Sequence, residues 1–370
     1  MSQTFESREL HRAEAVFGSG IEVLARSQGD AQSVISLLST FSLGRPKKDC
    51  LAIIGSPERL SEQDQCSKWT ASGRVEIFSD CIGSDKDSGD SASASDLGRL
   101  HALVRSGRIR RVLLATPVNE GERIAAVMKQ LEGIDVDVDL ILKGFSTYSH
   151  FNLGLTNELC VARILRRPLT PAQSMIKSFL DRVGAFLLLI CLAPLLLSIA
   201  LIVKLSSAGP VFFRQKRFGR NNEVIEVFKF RTLYHSCSDS NAQRPVKKQD
   251  DRVTPVGKYL RALSLDELPQ LLNVVKGDMS LVGPRPLPIG LKIDGSPCSD
   301  FPHYRARHRV LPGITGLAQV NGWRGGMRVK EDLKNRLAFD LEYVENYSLL
   351  LDMKIMFATA LALLRPNNAY

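Results

Sequence analysis

Hydrophobic positions change texture along this chain. Residues 1–47 are mixed and polar, with one helix-like run from Arg12 to Arg26. From Cys50 onward, short apolar runs bounded by turn residues predict strands. These are Cys50-Leu-Ala-Ile-Ile-Gly55, Val75 to Phe78, Arg111-Val-Leu-Leu-Ala-Thr-Pro117 and Val136 to Leu142. Stretches at about 96–107 and 121–132 lie between them and read as helices. Strands alternating with helices imply a parallel α/β sheet. Such a sheet is often a nucleotide binder, but after Gly55 comes Ser-Pro-Glu-Arg-Leu, without the G-x-G-x-x-G spacing of a pyrophosphate turn. Residues 48–150 are therefore expected to form a Rossmann-like domain without the glycine fingerprint, regulatory or structural in role. The serine- and aspartate-rich stretch from Ser84 to Ser95 reads as a loop, and residues 151–175, with Pro168 and Pro171, as a linker.

The pattern then becomes continuously apolar. Between Arg182 and Lys204 the chain runs Val-Gly-Ala-Phe-Leu-Leu-Leu-Ile-Cys-Leu-Ala-Pro-Leu-Leu-Leu-Ser-Ile-Ala-Leu-Ile-Val without a charge. That approaches the roughly 20 residues of a bilayer span. Pro194 near its middle removes a backbone donor and predicts a break in the membrane helix. Lys177 and Arg182 precede the segment, and Lys204, Arg214, Lys216, Arg217 and Arg220 follow it. Basic flanks stay on the cytoplasmic side, so both ends are expected there. A broken, re-entrant helix over about 177–204 satisfies both conditions; a buried core helix or a single span are the alternatives. The later apolar run, Leu349 to Leu364, is interrupted by Asp352 and Lys354 and predicts an interfacial or core helix.

Composition narrows the setting. The 370 residues suffice for about two domains, and a formal charge of +10 suits anionic lipid or phosphorylated substrates. Nucleic acid is not expected as a partner, since no basic motif with aromatic interleaving is present. The opening Met-Ser-Gln-Thr-Phe-Glu-Ser-Arg-Glu-Leu has no signal-peptide pattern. The cysteines at 50, 66, 81, 160, 191, 237 and 298 are odd in number and form no C-x-x-C pair. This argues against a disulfide framework and a zinc site, and for a reducing compartment.

The strongest local chemical signal is Ser264-Leu-Asp-Glu-Leu-Pro269. Ser264 and Glu267 have the spacing of a capping box, which would make the acidic pair merely the start of a helix. The same helix N-terminus would keep a carboxylate ionised, and an ionised aspartate can attack phosphorus to form an acyl-phosphate. Arg261, one turn earlier, and Arg285, held in Gly283-Pro-Arg-Pro286, could neutralise phosphate. In Phe228-Lys-Phe-Arg231 the strand period places Lys229 and Arg231 on one face. A rigid turn, Pro312-Gly-Ile-Thr-Gly316, precedes Ala318-Gln-Val-Asn-Gly-Trp-Arg324, where Gln319, Asn321 and Arg324 could contact a sugar or a base.

Taken in order, these motifs resemble the bacterial sugar transferases, the monotopic polyprenyl-phosphate phosphoglycosyl transferases. The resemblance covers about residues 172–370. It includes Lys177 with Asp181, the proline-bearing apolar segment, PVFFRQKRFG at 210–219 and KFRTL at 229–233. It continues through DDRVTPVGKYLRALSLDELPQLLNVVKGDMSLVGPRP at 250–286 and LPGITGLAQVNGWRG at 311–325. The closing Asn-Asn-Ala-Tyr is similar to tails of the undecaprenyl-phosphate glucose phosphotransferase branch.

After the α/β Rossmann-like domain expected from the strand pattern, the resemblance implies a mainly α (α+β), membrane-associated phosphoglycosyl transferase domain at 176–370. It implies that Asp266 attacks the sugar-bearing phosphate of a UDP-sugar, releasing UMP, and that undecaprenyl phosphate then takes the phosphosugar. Mg²⁺ at Asp266 is implied as cofactor. Glu267 would position the metal or the lipid phosphate, and Arg261 and Arg285 would bind phosphate. The expected partners are thus a UDP-sugar, undecaprenyl phosphate and membrane lipids, at the cytoplasmic face of a bacterial inner membrane, with a homo-oligomer left open. UDP-glucose is the expected donor and UDP-galactose the close alternative; a catalytically inactive membrane scaffold for polysaccharide assembly is a rival of another class. Three departures stand out. Residues 1–47 lack the several membrane helices usual in the hexose branch, and 287–303 differ from the family pattern after the GPRP turn. Ala193 also replaces the serine that usually precedes the proline.

Overall fold

The computed structural model describes residues 50–55, 75–79, 91–114, 121–143, 159–237, 250–323, 325 and 329–364. The run 12–26, most of the serine-rich loop, Arg324 and the closing Asn-Asn-Ala-Tyr lie outside the described residues. The chain divides into two compact units. The first ends at Arg167 and the second begins at Pro168, with Glu132–Asp135 grouped with the second.

In the first unit, β1 (Cys50–Gly55), β2 (Val75–Ser79), α1 (Ser91–Arg105), β3 (Ile109–Leu114), α2 (Gly121–Leu131), β4 (Asp137–Lys143) and β5 (Leu159–Leu165) follow one another. The sheet order is β2-β1-β3-β4-β5. The pairs β1/β2, β1/β3 and β3/β4 are parallel, and β5 joins β4 antiparallel. Ala52, Ile54, Val112, Leu113 and Leu114 of the strands are buried, as are Leu100, Val127 and Leu131 of the helices. That agrees with the near-continuous apolar runs of a sheet covered on both faces.

Two expectations change here. Helix α1 starts at Ser91, inside the expected loop, because Ala92 and Ala94 favour helix. Residues 159–165, expected within a linker, form the edge strand β5. The pairing of β5 is fixed by a distant partner, since Arg163 Nε donates to the buried Asp139 at 2.9 Å. An edge strand carrying charge is common, and its weak alternation hides it from local pattern.

The second unit opens with α3 (Pro171–Ser206). Thr170 and Gln173 form a reciprocal capping box and Pro171 occupies the first helical position, so the helix starts inside the expected linker. Its packed stripe is Lys177, Asp181, Ala185, Leu189, Leu192, Leu196, Ile199 and Val203. The first half meets Val227, Leu271, Val274 and Met279, and the second meets Phe230 and Leu260. Phe179, Phe186, Leu187, Ile190, Leu197, Leu201 and Leu205 on the other faces are exposed. A long apolar helix of this kind suits a membrane-associated unit.

The helix continues through Pro194, so the expected break is corrected to a proline within one helix. Proline removes the donor that the Ile190 carbonyl would use, and Ser198 Oγ donates to the Pro194 carbonyl at 2.8 Å.

The hairpin β6 (Phe212–Phe218) and β7 (Val224–Phe230) follows, with Phe212 stacked on Phe230. Next come α4 (Pro255–Ala262), capped by Thr254, and α5 (Gln270–Lys276), closed by Gly277 at φ 93°. Strand β8 (Ser280–Val282) precedes the small hairpin β9 (Lys292–Ile293) and β10 (Ser296–Pro297), and β11 (Gly313–Thr315) pairs with β8 in parallel. A Cβ on Gly283, Gly313 or Gly316 would strike the facing backbone, so these two loops can touch only as glycine. Helices α6 (Leu317–Val320), α7 (Lys330–Glu345) and α8 (Leu349–Leu364) complete the unit. In α8, Asp352 and Ile355 are buried while Leu350, Met353, Phe357 and Leu361 are exposed, the two-sided pattern of an interfacial helix.

Candidate active site

The acidic pair stands on a single 3-10 turn, Leu265–Glu267, between α4 and α5. Ser264 is left-handed at φ 56°, and its side chain does not cap the turn. A capping residue needs extended backbone, so the expected Ser264–Glu267 capping box is absent. Opposite the turn lies β7. Asn273 of α5 fixes the spacing between them: its Oδ1 accepts from Phe228 N at 3.0 Å, and its Nδ2 donates to the Glu226 carbonyl at 2.6 Å. This brings Lys229 over the acidic pair.

Glu267 is fully engaged. Lys229 Nζ donates to Oε1 at 2.6 Å. Arg285 Nη1 donates to Oε2 at 2.9 Å and Nη2 to Oε1, a two-pronged guanidinium–carboxylate pair. Burial pushes the Glu267 carboxyl up, but Arg285 and Lys229 outweigh it and hold the group well below the usual carboxylate range.

Asp266 differs. It is 8% exposed, and among the described residues no hydrogen bond or ion pair holds its carboxylate. Burial, with the neighbouring Glu267 charge, raises its pKa; Lys229, Arg261 and Arg285 pull the other way without cancelling the rise. The expected helix-dipole stabilisation of the anion is therefore not the deciding influence. A three-residue 3-10 turn offers little aligned dipole, and desolvation is larger. The pair thus consists of one clamped carboxylate and one with its lone pairs unoccupied.

The Arg285 loop is held from behind. Arg307, fully buried, donates to the Arg285 carbonyl and pairs with Asp340 at 2.8 Å. Arg217 donates to the Pro286 carbonyl and to Gln215 Oε1 at 2.7 Å. Burial and the Arg285 charge push Arg217 down to about 10. Buried cations here outnumber carboxylates, which suits an anionic ligand. Sequence reading missed Arg217 and Arg307 as site residues. Arg217 counted only as flanking charge, although it shares the inward face of β6 with Gln215. Arg305-Ala-Arg-His-Arg309 looks like a solvated run, and only its burial reveals otherwise.

The other expected residues disperse. Arg231 falls just beyond the end of β7, where strand alternation no longer applies. Its guanidinium donates to the carbonyls of Val203 at 3.2 Å and Ser207 at 2.7 Å, closing the C-terminus of α3 rather than facing Asp266. Gln319 Nε2 donates to the Ile314 carbonyl at 2.9 Å, and Asn321 Nδ2 to the Leu317 carbonyl at 2.8 Å, both local bonds around α6. Arg324 lies outside the described residues.

Among the described residues no group of three His, Cys, Asp or Glu side chains could hold a metal alone. Mg²⁺ commonly takes one or two carboxylates together with substrate phosphates. The unpartnered Asp266 carboxylate fits that mode, while Glu267 is occupied by its two cations.

The family model of the bacterial sugar transferases matches residues 172–366. The chain is 37% identical over 337 residues to an undecaprenyl-phosphate glucose phosphotransferase of Komagataeibacter xylinus, covering 90% of this chain and 62% of that relative. It is 47% identical over 199 residues to a UDP-glucose:undecaprenyl-phosphate glucose-1-phosphate transferase of Caulobacter vibrioides, covering 54% of this chain and 73% of that relative. A UDP-N-acetylgalactosamine-undecaprenyl-phosphate N-acetylgalactosaminephosphotransferase of Aeromonas hydrophila is 40% identical over 200 residues, covering 54% of this chain and 46% of that relative. The chain thus spans about three fifths of the Komagataeibacter relative's length.

Proposed function

Because this chain belongs to the bacterial sugar transferase family, we propose that it transfers glucose-1-phosphate from UDP-glucose to undecaprenyl phosphate. The observation that carries this reading is the nearly buried, unpartnered Asp266 carboxylate beside a Glu267 clamped by Lys229 and Arg285. A carboxylate oxygen of Asp266 attacks the β-phosphorus. The bond from that phosphorus to the bridging oxygen breaks, and UMP departs with the electron pair. A phosphate oxygen of undecaprenyl phosphate then attacks the same phosphorus, and the Asp266 carboxylate leaves. The products are UMP and undecaprenyl-diphospho-glucose.

Arg285 and Arg261 orient the phosphates, and Lys229 with Glu267 keeps Arg285 aimed and the pocket cationic. Mg²⁺, when bound by Asp266 and the diphosphate oxygens, would neutralise phosphate charge. The names of the Komagataeibacter and Caulobacter relatives favour glucose over galactose as the donor sugar. The intact pair with its cations counts against an inactive scaffold.

We place this unit at the cytoplasmic face of the inner membrane, with α3 bent at Pro194 inside one helix so that both of its ends face that side. Support comes from the packing of both halves of α3, before and after Pro194, on one and the same unit. The mostly parallel sheet of the first unit supports a Rossmann-like reading of that part, with a structural or regulatory role.

The test incubates the purified chain with Mg²⁺, undecaprenyl phosphate and a panel of UDP-sugars. UMP release with UDP-glucose is expected, falling at least ~10³-fold in Asp266→Asn, as for removal of a covalent nucleophile. No UMP with any donor, or full activity in the variant, would defeat the assignment.

A further inference from the structure

In Gly283-Pro-Arg-Pro286 two of four residues lack an N–H, so the loop has few backbone donors of its own and its carbonyls must find partners elsewhere. Three consecutive carbonyls do so. Gly313 N donates to the Pro284 carbonyl at 3.0 Å. Arg307, in the 3-10 turn Arg305–Arg309, donates to the Arg285 carbonyl, and Arg217, on β6, donates to the Pro286 carbonyl. Gly283 N in turn donates to the Thr315 carbonyl at 2.9 Å. The loop is thus pinned at each of its four residues, and its one long side chain reaches Glu267.

Two of these three carbonyl donors are buried guanidinium groups, although a neutral backbone amide serves the first. A buried charge needs compensation, and Arg307 has it in Asp340 of α7, 2.8 Å away, with both residues almost wholly buried. The acceptors of Arg217 among the described residues are neutral, the Pro286 carbonyl and Gln215 Oε1. Its charge therefore remains uncompensated behind the loop, where it and Arg285 repel each other. In front of Arg285 stands the Glu267 carboxylate, gripped through both prongs. Repulsion from behind and attraction ahead act in the same direction. A guanidinium is a planar fork whose two-pronged grip depends on its approach, so fixing its backbone decides what it can hold.

We propose that Arg217 and Arg307, the latter with Asp340, are positioning residues that aim Arg285 through its own backbone at the diphosphate of the UDP-sugar. This rests on the UDP-sugar reading above. Neither arginine touches the phosphate; both act through the carbonyls of residues 285 and 286.

The full chain carrying Arg307→Met with Asp340→Leu loses the donor and its counter-charge together, a change that is often near neutral for stability. Single-turnover UMP release from UDP-glucose, with enzyme in excess, is compared between this variant and the wild type. The comparison is then repeated with Arg285→Lys added to both, because a lysine is a rotatable point charge with no fork to aim. With Arg285 in place, loss of the pair should slow release about tenfold, the effect of one hydrogen bond from a charged group. In the Arg285→Lys background the slowing should shrink below about twofold, as for residues that act through one another. A merely structural role lowers the active fraction by the same factor in both backgrounds. Equal slowing, or none with Arg285 in place, overturns the proposal. If the pair variant does not fold, Arg217→Gln carries the same comparison with the same outcomes. Absence of UMP from every donor in the wild type would bring down the activity reading and this one with it. Wild-type release with equal slowing in both backgrounds brings down this one alone.

Discussion

Burial pushes both members of the acidic pair towards protonation, and their neighbours then separate them. Glu267 gains Arg285 and Lys229 in direct contact and stays an anion. Asp266 receives the same cations only at a distance, and its pKa remains raised. A nucleophile must be ionised, so activity should fall as pH drops through this raised pKa, sooner than for an ordinary aspartate. Arg261 lowers the Asp266 pKa. Arg261→Gln should therefore shift the acid limb of the kcat profile to higher pH and cut kcat several-fold at its low end. A limb that stays in place would mean that another group controls it. The residue types of this site were legible in the sequence, since carboxylates and arginines at these spacings advertise phosphate chemistry. Their division of labour was not. Lys229 and Glu267 are 38 positions apart, and desolvation depends on everything packed around them.

At the scale of elements, α3 is held by charge as well as by apolar contact. Lys177 Nζ pairs with Asp352 of α8 at 2.7 Å and with Asp181 at 3.2 Å. Ser280 Oγ donates to Asp181 and Tyr343 Oη to Asp352, each at 2.7 Å. The group joins the start of the apolar helix to α8 and to β8, the strand leading into the Arg285 loop. Removing one member of a buried ion pair costs about 3–5 kcal/mol, whereas replacing both members by apolar groups is often near neutral. Lys177→Met should thus lower the urea midpoint clearly, and Lys177→Met with Asp352→Leu should recover part of the loss. Equal midpoints for wild type and single variant would show that the network carries no stability. The apolar length of α3 and the two-sided character of α8 were plain from sequence. That β5 is a strand, and that Pro194 lies within a helix, were not. Both depend on partners outside any local window, Asp139 for the strand and the packed stripe for the helix.

For the whole molecule, the re-entrant arrangement makes a topological claim. With the seven natural cysteines replaced and a single cysteine introduced at Met175 or at Ser206, a membrane-impermeant maleimide should label both sites from the same side of sealed vesicles. Labelling from opposite sides would establish a full crossing and overturn the arrangement. The sequence by itself determined much of this protein: an alternating α/β stretch, a long apolar helix with basic flanks, an acidic pair, and an arginine between prolines. These follow from periodicity, propensity and residue chemistry, which act over a few positions. Only the tertiary structure decided which carboxylate is clamped and which is unpartnered, that Arg231 closes a helix, and that Arg217 and Arg307 stand buried behind the site. Those outcomes turn on desolvation and on charges brought together from distant parts of the chain, and neither exists until the chain is folded.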